Sequence, residues 1–385
     1  MTFAFHAAAP PGEWLNDPNG LAFVDSRYVL YAQHSVAGPA GHDVGWGRLT
    51  SDDMLAWTWG GVAIPPSAAG SAFSGCLVHG QDGIEAFYTR HDPDRRLQTQ
   101  HRALAPDFDA ESAPLGPQSA NCRDPFVFWC AASGDWRILI ALPCGWSTAA
   151  SDPPSRLGVW RSPDRAAWEP VGEIGPWHPA GVMWEVPVLI TVDGIDVLIL
   201  SLIDRRDDAI DCSVRYWLGA FDGAAFSVAD GFPRDGVRLD HGPDFYAAIG
   251  NLAAGWPDER PVIVGWASNW RAARTRAWPG GARGGPISLP RHVTVRDGRL
   301  HQAPVPAALA LPHRSGSFAE RLSHGALTVD ADRATGRLRI QAPGFEHMSD
   351  ATWLAETSSF RLFEDNGLIE LFIEPEGLVV TVALV

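Results

Sequence analysis

Residues 14–20 read Trp14-Leu15-Asn16-Asp17-Pro18-Asn19-Gly20, with a carboxylate directly before a proline and an apolar hairpin behind it. The same arrangement returns at Arg123-Asp124-Pro125 and, with one residue between acid and proline, at Trp184-Glu185-Val186-Pro187. Proline lacks the N–H that a central strand needs, so it is confined to edge strands or strand starts. Charge at three such strand starts indicates three acids that converge on one site.

A repeated unit follows from the segments behind these acids. Each acid is followed by an apolar strand, a tight turn and a second strand, and weaker copies begin at Ser74 and Asp244. Five repeats of a roughly four-stranded unit predict a five-bladed β-propeller, whose innermost strands line a central channel. The first strands of blades one, three and four would then bring Asp17, Asp124 and Glu185 to one mouth of that channel.

The pattern changes near residue 290, and the proline-rich piece 303–312 indicates a linker. Beyond it, apolar and polar residues alternate as in half-buried strands, at residues 326–329, 336–341, 359–363, 368–373 and 378–384. We therefore predict an all-β chain with a catalytic propeller over residues 1–295 and a small C-terminal β-sandwich-like domain over residues 296–385.

Composition limits the partners and the compartment. The 385 residues carry a formal net charge of −15, which opposes binding to nucleic acid or to an anionic membrane surface. The longest apolar run, 186–203, is interrupted by Asp193, Gly194 and Asp196 and predicts two strands and a turn, so we expect no membrane span. No basic and apolar leader precedes residue 14, which favours the cytoplasm.

Cysteine and histidine patterns indicate neither disulfides nor metal. The five cysteines, Cys76, Cys122, Cys130, Cys144 and Cys212, are scattered and odd in number, which favours a reducing compartment. Cys76, Cys122 and Cys130 are expected to be small buried hydrophobic residues. The histidines show no H-E-x-x-H or clustered spacing, so we predict no metal and no cofactor.

Paired carboxyl groups suit the cleavage of a glycosidic bond. One protonates the leaving oxygen and the other attacks the anomeric carbon, while a third, ionised acid can hold ring hydroxyls and favour the positive transition state. The chain also contains 17 tryptophans, whose faces pack against sugar rings, and Trp46, Trp266 and Trp270 are our candidates for this contact.

Structural explanations compete with these roles. A single Asp-Pro is usually a turn or a cap and a single Trp is usually core, whereas three coordinated acid-proline strand starts are harder to explain by structure alone. Arg123 could merely neutralise Asp124, could also donate to substrate hydroxyls, and could do both.

Taken together, the motifs resemble glycoside hydrolase family 32, which includes invertases, sucrose-6-phosphate hydrolases, inulinases, levanases and fructosyltransferases. The motifs that carry the resemblance span most of residues 1–295 and are W-L-N-D-P-N-G at 14–20, F-S-G at 73–75, R-D-P at 123–125, W-E-V-P at 184–187, D-F-Y-A at 244–247 and G-W-A-S-N-W at 265–270. The resemblance implies a five-bladed propeller followed by a β-sandwich, in agreement with the repeat count.

The same resemblance implies roles for individual residues. Asp17 would be the nucleophile that forms a covalent fructosyl-enzyme, Glu185 the general acid and then base, and Asp124 the transition-state stabiliser with Arg123 beside it. The fructosyl pocket would be lined by Asn16, Gln33, Trp46, Phe73 and Ser74, with Asp204 on the leaving-group side.

The chain departs from the family pattern at three points. Val186 stands where many members have Cys, Cys76 stands where many have Ser, and the C-terminal domain of about 90 residues is shorter than in typical members. None of these changes removes a reacting group.

The leading hypothesis is a retaining β-fructofuranosidase acting on sucrose or short fructans. A fructosyltransferase shares the same acids, a non-catalytic sugar-binding propeller is the alternative from another class, and an arabinan- or xylan-cleaving enzyme is a further one. A cytoplasmic location is compatible with phosphorylated sucrose as the substrate, although no compact Lys/Arg cluster near the motifs specifies a phosphate. The oligomeric state stays open.

Overall fold

The computed structural model describes residues 3–38, 43–80, 83–105, 108, 111–112, 114–143, 153–205, 210–250, 260–332, 334–350 and 358–385. This part of the chain is all-β, with thirty strands, no α-helix, and two short 3-10 helices at Pro279–Gly281 and Pro306–Ala310. None of its helices has the length and apolar character required to cross a membrane. The all-β prediction is confirmed.

The strands before residue 305 form five sheets. These strands are β1 (Trp14–Val24), β2 (Arg27–Ser35), β3 (Gly45–Ser51), β4 (Thr58–Ile64), β5 (Ser71–Gly80), β6 (Gly83–Asp92), β7 (Leu97–Leu104), β8 (Leu115–Ser119), β9 (Arg123–Cys130), β10 (Asp135–Ala141), β11 (Leu157–Ser162), β12 (Glu169–Ile174), β13 (Val182–Val192), β14 (Ile195–Asp204), β15 (Asp211–Phe221), β16 (Phe226–Val228), β17 (Val237–Arg238), β18 (Tyr246–Gly250), β19 (Val262–Trp266), β20 (Arg283–Gly284), β21 (Arg291–Arg296) and β22 (Arg299–Pro304). The apolar run 186–203 falls in β13 and β14, as predicted.

Each of these sheets is built on an antiparallel meander, and the first one adds β20, which pairs with β1 in parallel. Their orders are β20-β1-β2-β3-β4, β5-β6-β7-β8, β9-β10-β11-β12, β13-β14-β15-β16 with β17 on β15, and β18-β19-β21-β22. The first strands contact one another in a closed ring, because β1 contacts β5, β5 contacts β9, β9 contacts β13, β13 contacts β18 and β18 contacts β1. Asp17, Asp124 and Glu185 lie on β1, β9 and β13 and therefore face a common axis.

Every one of these five first strands is irregular at the level of the acids. The pairing register shifts between Leu15 and Gly20, Ala72 and Gly75, Arg123 and Phe126, Glu185 and Val188, and Tyr246 and Ile249. Three residues at these points have left-handed backbone without being glycine, Asp124 (φ 60°), Val186 (φ 46°) and Ala247 (φ 49°). Such bulges bend a strand and re-aim a side chain, and strained backbone of this kind clusters at functional sites.

The remaining strands form two further sheets. They are β23 (Arg314–Ser317), β24 (Arg321–His324), β25 (Leu327–Asp332), β26 (Arg337–Ala342), β27 (Phe345–Asp350), β28 (Ser359–Asp365), β29 (Leu368–Glu374) and β30 (Leu378–Ala383). The sheet orders are β23-β28-β29-β30 and β24-β25-β26-β27. Buried side chains from both sheets, including Leu327, Ile340, Leu362 and Val380, pack into one apolar cluster.

The C-terminal strand predictions were incomplete. All five predicted segments contain strands, but β23, β24 and β27 were missed because they are short or largely polar. The predicted linker 303–312 contains the 3-10 helix Pro306–Ala310, and the predicted division between residues 295 and 296 falls inside the β21–β22 hairpin.

Cys76, Cys122, Cys130 and Cys212 are free and buried, as small apolar side chains would be. Cys144 lies outside the described residues.

Candidate active site

Asp17 sits at the bulge of β1 with only 6% of its surface exposed. Its Oδ2 accepts a hydrogen bond of 3.1 Å from the Ser74 hydroxyl. Among the described residues nothing donates to Oδ1, although that oxygen is buried. Buried carboxylate oxygens are normally hydrogen-bonded, so this one is available to another group.

A chain of donors fixes the carboxylate of Asp17. Trp14 Nε1 donates to Asn16 Oδ1 (2.9 Å), and Asn16 Nδ2 donates to Gln33 Oε1 (3.1 Å). Gln33 Nε2 then donates to Ser74 Oγ (2.5 Å), which leaves the Ser74 hydrogen to point at Asp17. Because each donor is set by the one before it, the network holds Oδ2 and leaves Oδ1 open.

Asp124, at the β9 bulge, is held by hydrogen bonds to residues of the neighbouring strands β6 and β13. Its own N–H donates to Thr89 Oγ1 (3.0 Å), and its Oδ2 accepts from the N–H of Val186 (3.0 Å). Asp124 and Val186 both have left-handed backbone, and the contact between them ties Asp124 to the residue that follows Glu185.

Glu185 is the least buried of the three acids and has two partners. Tyr246 donates its hydroxyl to Glu185 Oε2 at 2.6 Å, and Arg123 Nε lies 3.5 Å from Oε1. The Arg123 guanidinium also donates to Met183 Sδ at 3.0 Å. The partner predicted for Asp124 therefore also contacts Glu185.

Burial and mutual repulsion raise the pKa values of two acids. For Asp17, burial and then the Glu185 charge raise the pKa to about 6, against the nearby amide of Asn16 and the Ser74 hydroxyl, which lower it. Burial also raises the pKa of Asp124 to about 7, where Arg123 opposes the shift and the charges of Glu185 and Asp17 add to it. Like charges that share a low-dielectric site behave in this way.

The three acids open into a cleft of about 500 Å³. Eight of the twelve sequence-predicted site residues line it, namely Asp17, Gln33, Phe73, Ser74, Arg123, Asp124, Glu185 and Trp270. The other four, Asn16, Trp46, Asp204 and Trp266, do not. Asn16 acts from behind through Gln33, and Asp204 ends β14, one residue before Arg205, which does reach the cleft.

Trp46 and Trp266 were predicted to stack on a sugar, but neither side chain has an exposed ring face. Both side chains are fully buried, with 0% exposure. Trp46 instead donates its indole N–H to the carbonyl of Phe73 at 2.9 Å and so supports the cleft wall. Trp266 packs edge-on against Trp270, with ring centroids 5.0 Å apart.

Sequence reasoning missed several residues of the site. Tyr246 lies inside the D-F-Y-A motif, but its contact with Glu185 from behind the cleft depends on the β18 bulge, which sequence spacing does not reveal. The missed residues that line the cleft are Val44, Met183, Ile203, Arg205, Ile210 and Arg274. These residues have no local motif, and only the fold brings them together.

Comparison with known proteins agrees with this architecture. The model of the glycosyl hydrolases family 32 N-terminal domain matches residues 6–304. The extracellular exo-inulinase of Aspergillus niger is 28% identical over 341 residues, covering 75% of this chain and 61% of that enzyme. The raffinose invertase of Escherichia coli is 30% identical over 345 residues, covering 83% of this chain and 68% of that enzyme.

Solved structures share the fold. The crystal structure of the exo-inulinase from Aspergillus awamori superposes with a TM-score of 0.78 at 22% identity, covering 99% of this chain and 92% of that one. The chain spans only 61% of the length of the exo-inulinase relatives in sequence. The family model nevertheless covers most of the chain and includes all three acids, and the chain belongs to glycosyl hydrolase family 32.

Proposed function

We propose that the protein is a retaining β-fructofuranosidase that releases terminal β-fructofuranosyl units from sucrose or short fructans. The observation that carries this proposal is the buried Oδ1 of Asp17, which has no hydrogen-bond donor in the described part of the chain while Oδ2 is held by Ser74. A carboxylate with one oxygen fixed and one open is suited to attack on carbon. The family supports the same chemistry.

In the proposed first step Asp17 Oδ1 attacks the anomeric carbon of the fructosyl unit. Glu185 gives its proton to the leaving oxygen, the glycosidic bond breaks, and a covalent fructosyl-enzyme forms. In the second step Glu185 takes a proton from water, and that water displaces Asp17 to release fructose. Asp124 accepts hydrogen bonds from ring hydroxyls, and the Gln33–Ser74 pair keeps Asp17 oriented throughout.

The electrostatics of the site support these roles. With a pKa of about 6, Asp17 is mainly ionised at neutral pH, as a nucleophile must be. The cluster of carboxylates favours the oxocarbenium-like transition state, which is positively charged. Tyr246 and Arg123 contact Glu185 and keep it in one orientation, and we infer that they are positioning residues.

The finer architecture belongs to the same proposal. We interpret the five sheets whose first strands contact in a ring as the five blades of a propeller, and the two C-terminal sheets with their shared apolar cluster as a β-sandwich. A cytoplasmic location, a small carbohydrate as the substrate, and the expectation of no nucleic-acid or membrane partner are likewise proposals.

Fructose release tests the proposed activity. Purified protein would be incubated with sucrose, raffinose, inulin and levan beside an Asp17→Asn variant and an Asp25→Asn control, since Asp25 lies exposed in the turn after the same strand. Fructose from at least one substrate, abolished by Asp17→Asn and kept by Asp25→Asn, is the expected result. Sugar binding without any fructose release would instead support the non-catalytic propeller.

Product analysis at high sucrose separates hydrolysis from transfer. A hydrolase yields free fructose and glucose in equal amounts, whereas a fructosyltransferase yields excess glucose and longer oligosaccharides. We expect equal amounts.

A further inference from the structure

The bulge that carries Asp124 holds its backbone in a conformation that the local sequence disfavours. Asp124 and Pro125 together stand opposite the single residue Ile140 in the β9–β10 ladder. Asp124 has a φ of 60°, in the left-handed region, although it is not a glycine. A residue directly before a proline is also pushed towards extended backbone with negative φ. Two preferences therefore oppose the observed conformation, and such a residue persists only where its surroundings hold it.

The neighbouring sheet holds this backbone through Thr89 and Gln100, which are paired directly across β6 and β7. Gln100 Nε2 donates to the carbonyl of Cys122 at 2.7 Å. Gln100 Oε1 accepts from the Thr89 hydroxyl at 2.7 Å, and Thr89 Oγ1 accepts from the N–H of Asp124 at 3.0 Å. The two ends of this hydrogen-bond chain therefore reach the R-D-P segment on either side of Arg123.

The direction of each hydrogen bond in this chain follows from the one before it. The Cys122 carbonyl can only accept, so the Gln100 amide turns its N–H towards it and its oxygen towards Thr89. The single hydroxyl hydrogen of Thr89 is then used on Gln100, which leaves its lone pairs for the N–H of Asp124. Thr89, Gln100 and Cys122 each have 0% exposure, so a lost partner would leave a buried polar group unsatisfied.

The hydrogen-bond chain fixes both peptide groups of Arg123, namely the one with the Cys122 carbonyl and the one with the Asp124 N–H. Two side chains of the active site start from this short backbone. Arg123 Nε lies 3.5 Å from Glu185 Oε1, and Asp124 Oδ2 accepts from the N–H of Val186 at 3.0 Å. A backbone that relaxed to negative φ at Asp124 would turn its carboxylate away from that N–H and from the sugar.

We propose that Thr89 and Gln100 are positioning residues for the reaction, because they hold Asp124 in the left-handed conformation that its role requires. This inference rests on the proposed function, in which Asp124 accepts hydrogen bonds from ring hydroxyls. Neither Thr89 nor Gln100 is among the described residues that line the cleft, so the pair acts through the backbone of Asp124. Contacts that are stronger in the transition state than in the bound substrate are seen in kcat more than in KM, so the pair should support kcat.

The first test removes the hydroxyl of Thr89 at nearly constant volume. We would measure kcat and KM of Thr89→Val for the β-fructoside that the unaltered protein cleaves fastest. We expect kcat to fall roughly tenfold to a hundredfold with KM within about threefold. Thr89→Ser keeps a hydroxyl, so its kcat should stay within about threefold of the unaltered value.

Thr99→Val is the matched control for this test. Thr99 lies on the same β6–β7 hairpin, and its hydroxyl is also hydrogen-bonded, to His101 Nε2 at 2.7 Å. This contact does not involve the R-D-P segment, so Thr99→Val should change kcat by less than about twofold.

Gln100→Met tests the far end of the hydrogen-bond chain, and it carries the kinetic test if Thr89→Val does not fold. The variant keeps the length of the side chain and loses both of its hydrogen bonds, while the Thr89 hydroxyl can still accept from Asp124. We therefore expect a smaller loss in kcat, of about threefold to tenfold. A kcat that neither variant lowers, or a higher KM with unchanged kcat, would overturn the inference.

A crystal structure of Thr89→Val gives a readout that does not depend on turnover. We expect φ at Asp124 to have turned negative and the Asp124 carboxylate to have left the N–H of Val186. A lower kcat with Asp124 unmoved would overturn this inference alone, because the loss would then act by another route. Absence of fructose from every β-fructoside with the unaltered protein would overturn the proposed function and this inference with it, even if Asp124 had moved in the variant.

Discussion

Two buried clusters of charge in this protein are built in opposite ways. In the cleft, Asp17, Asp124 and Glu185 face one another with Arg123 as the nearby cation, and burial raises the pKa values of the two aspartates. At the junction between the N-terminal segment, the fifth sheet and the C-terminal sheets, every carboxylate meets a cation. Arg291 contacts Asp240 at 2.9 Å and Glu370 at 2.7 Å, with none of its surface exposed.

His6 completes the junction. Its Nδ1 lies 2.9 Å from Asp365 Oδ2 and its Nε2 lies 3.0 Å from Glu370 Oε1. Burial alone would raise the pKa of Glu370, but Arg291 and His6 outweigh it and the pKa is lowered. The same burial therefore has opposite consequences, because partners stabilise the charges at the junction and repulsion destabilises them in the cleft.

The largest effect is expected from removing the central cation of the junction. Arg291→Met would leave Asp240 and Glu370 buried without their guanidinium, which should lower the free energy of unfolding by about 3–5 kcal/mol. Urea unfolding measures this loss, with Arg296→Met, an exposed arginine on the same strand, as the control. Equal stability of the two variants would show that the junction charges are not energetically coupled.

In the cleft, removing a charged side chain is expected to raise the free energy of unfolding instead of lowering it. Folding raises the pKa of Asp17 from its ordinary value of 3.8 to about 6. The ionised side chain thus costs the folded state about 3 kcal/mol at neutral pH. Asp17→Asn removes this charge and should therefore be more stable at pH 7, with a higher Tm. It should also be inactive, because it lacks the proposed nucleophile.

The pH dependence of that stabilisation provides its own check. A raised folded-state pKa means that Asp17 makes the unaltered protein lose stability as pH rises from about 4 through about 6. The Asn variant lacks this part of the loss and keeps only the part that comes from Asp124, whose pKa is also raised. The difference in unfolding free energy between the two proteins should be large at pH 7 and close to zero below about pH 4. A difference that is constant with pH would contradict the assignment to the Asp17 charge.

A smaller effect is expected from the positioning contact of Glu185. Tyr246→Phe removes the hydroxyl that donates to Oε2 at 2.6 Å. We expect kcat to fall about tenfold with little change in KM, since the contact orients a reacting group and not the substrate. Tyr216→Phe is a matched control, because that hydroxyl is also buried but accepts from the N–H of Leu300, away from the cleft.

The smallest effect is expected at His6. Burial opposes its charge, but Asp365 and Glu370 outweigh burial and raise its pKa. Its contribution should thus be full below its ordinary pKa of 6.5 and should fade as pH rises through the higher folded value. His6→Gln is expected to cost about 1–2 kcal/mol at pH 6 and less at pH 9, measured by urea unfolding.

The cleft and the junction also differ in how well their residues could be predicted from the sequence. Asp17, Asp124 and Glu185 could be predicted, because an acid near a proline at a strand start can be recognised within one short segment of sequence. The junction carries no such signature, since Arg291, Glu370 and His6 come from three distant segments and look like ordinary polar residues. Trp46 shows the converse failure, because a tryptophan that supports a cleft wall from behind is indistinguishable in sequence from one that faces a sugar.

Arg274 and Tyr246 were not predicted as site residues, for a related reason. Their contribution depends on where a turn or a bulge aims a side chain, and one sequence does not specify the five register shifts that align the first strands. The strand starts were predictable, whereas the direction of each side chain depends on backbone geometry such as the left-handed residues at Asp124, Val186 and Ala247.

The most direct test of the account is to trap the covalent intermediate. Glu185→Gln would be mixed with a β-fructosyl fluoride, whose leaving group needs no proton, and the variant without its base should accumulate the fructosyl-enzyme. Peptide mapping by mass spectrometry should then find one fructosyl unit on the peptide that contains Asp17 and none in the Asp17→Asn/Glu185→Gln double variant. A fructosyl unit on the peptide of Asp124, or none on any peptide while fluoride is released, would contradict the assignment of Asp17 as the nucleophile.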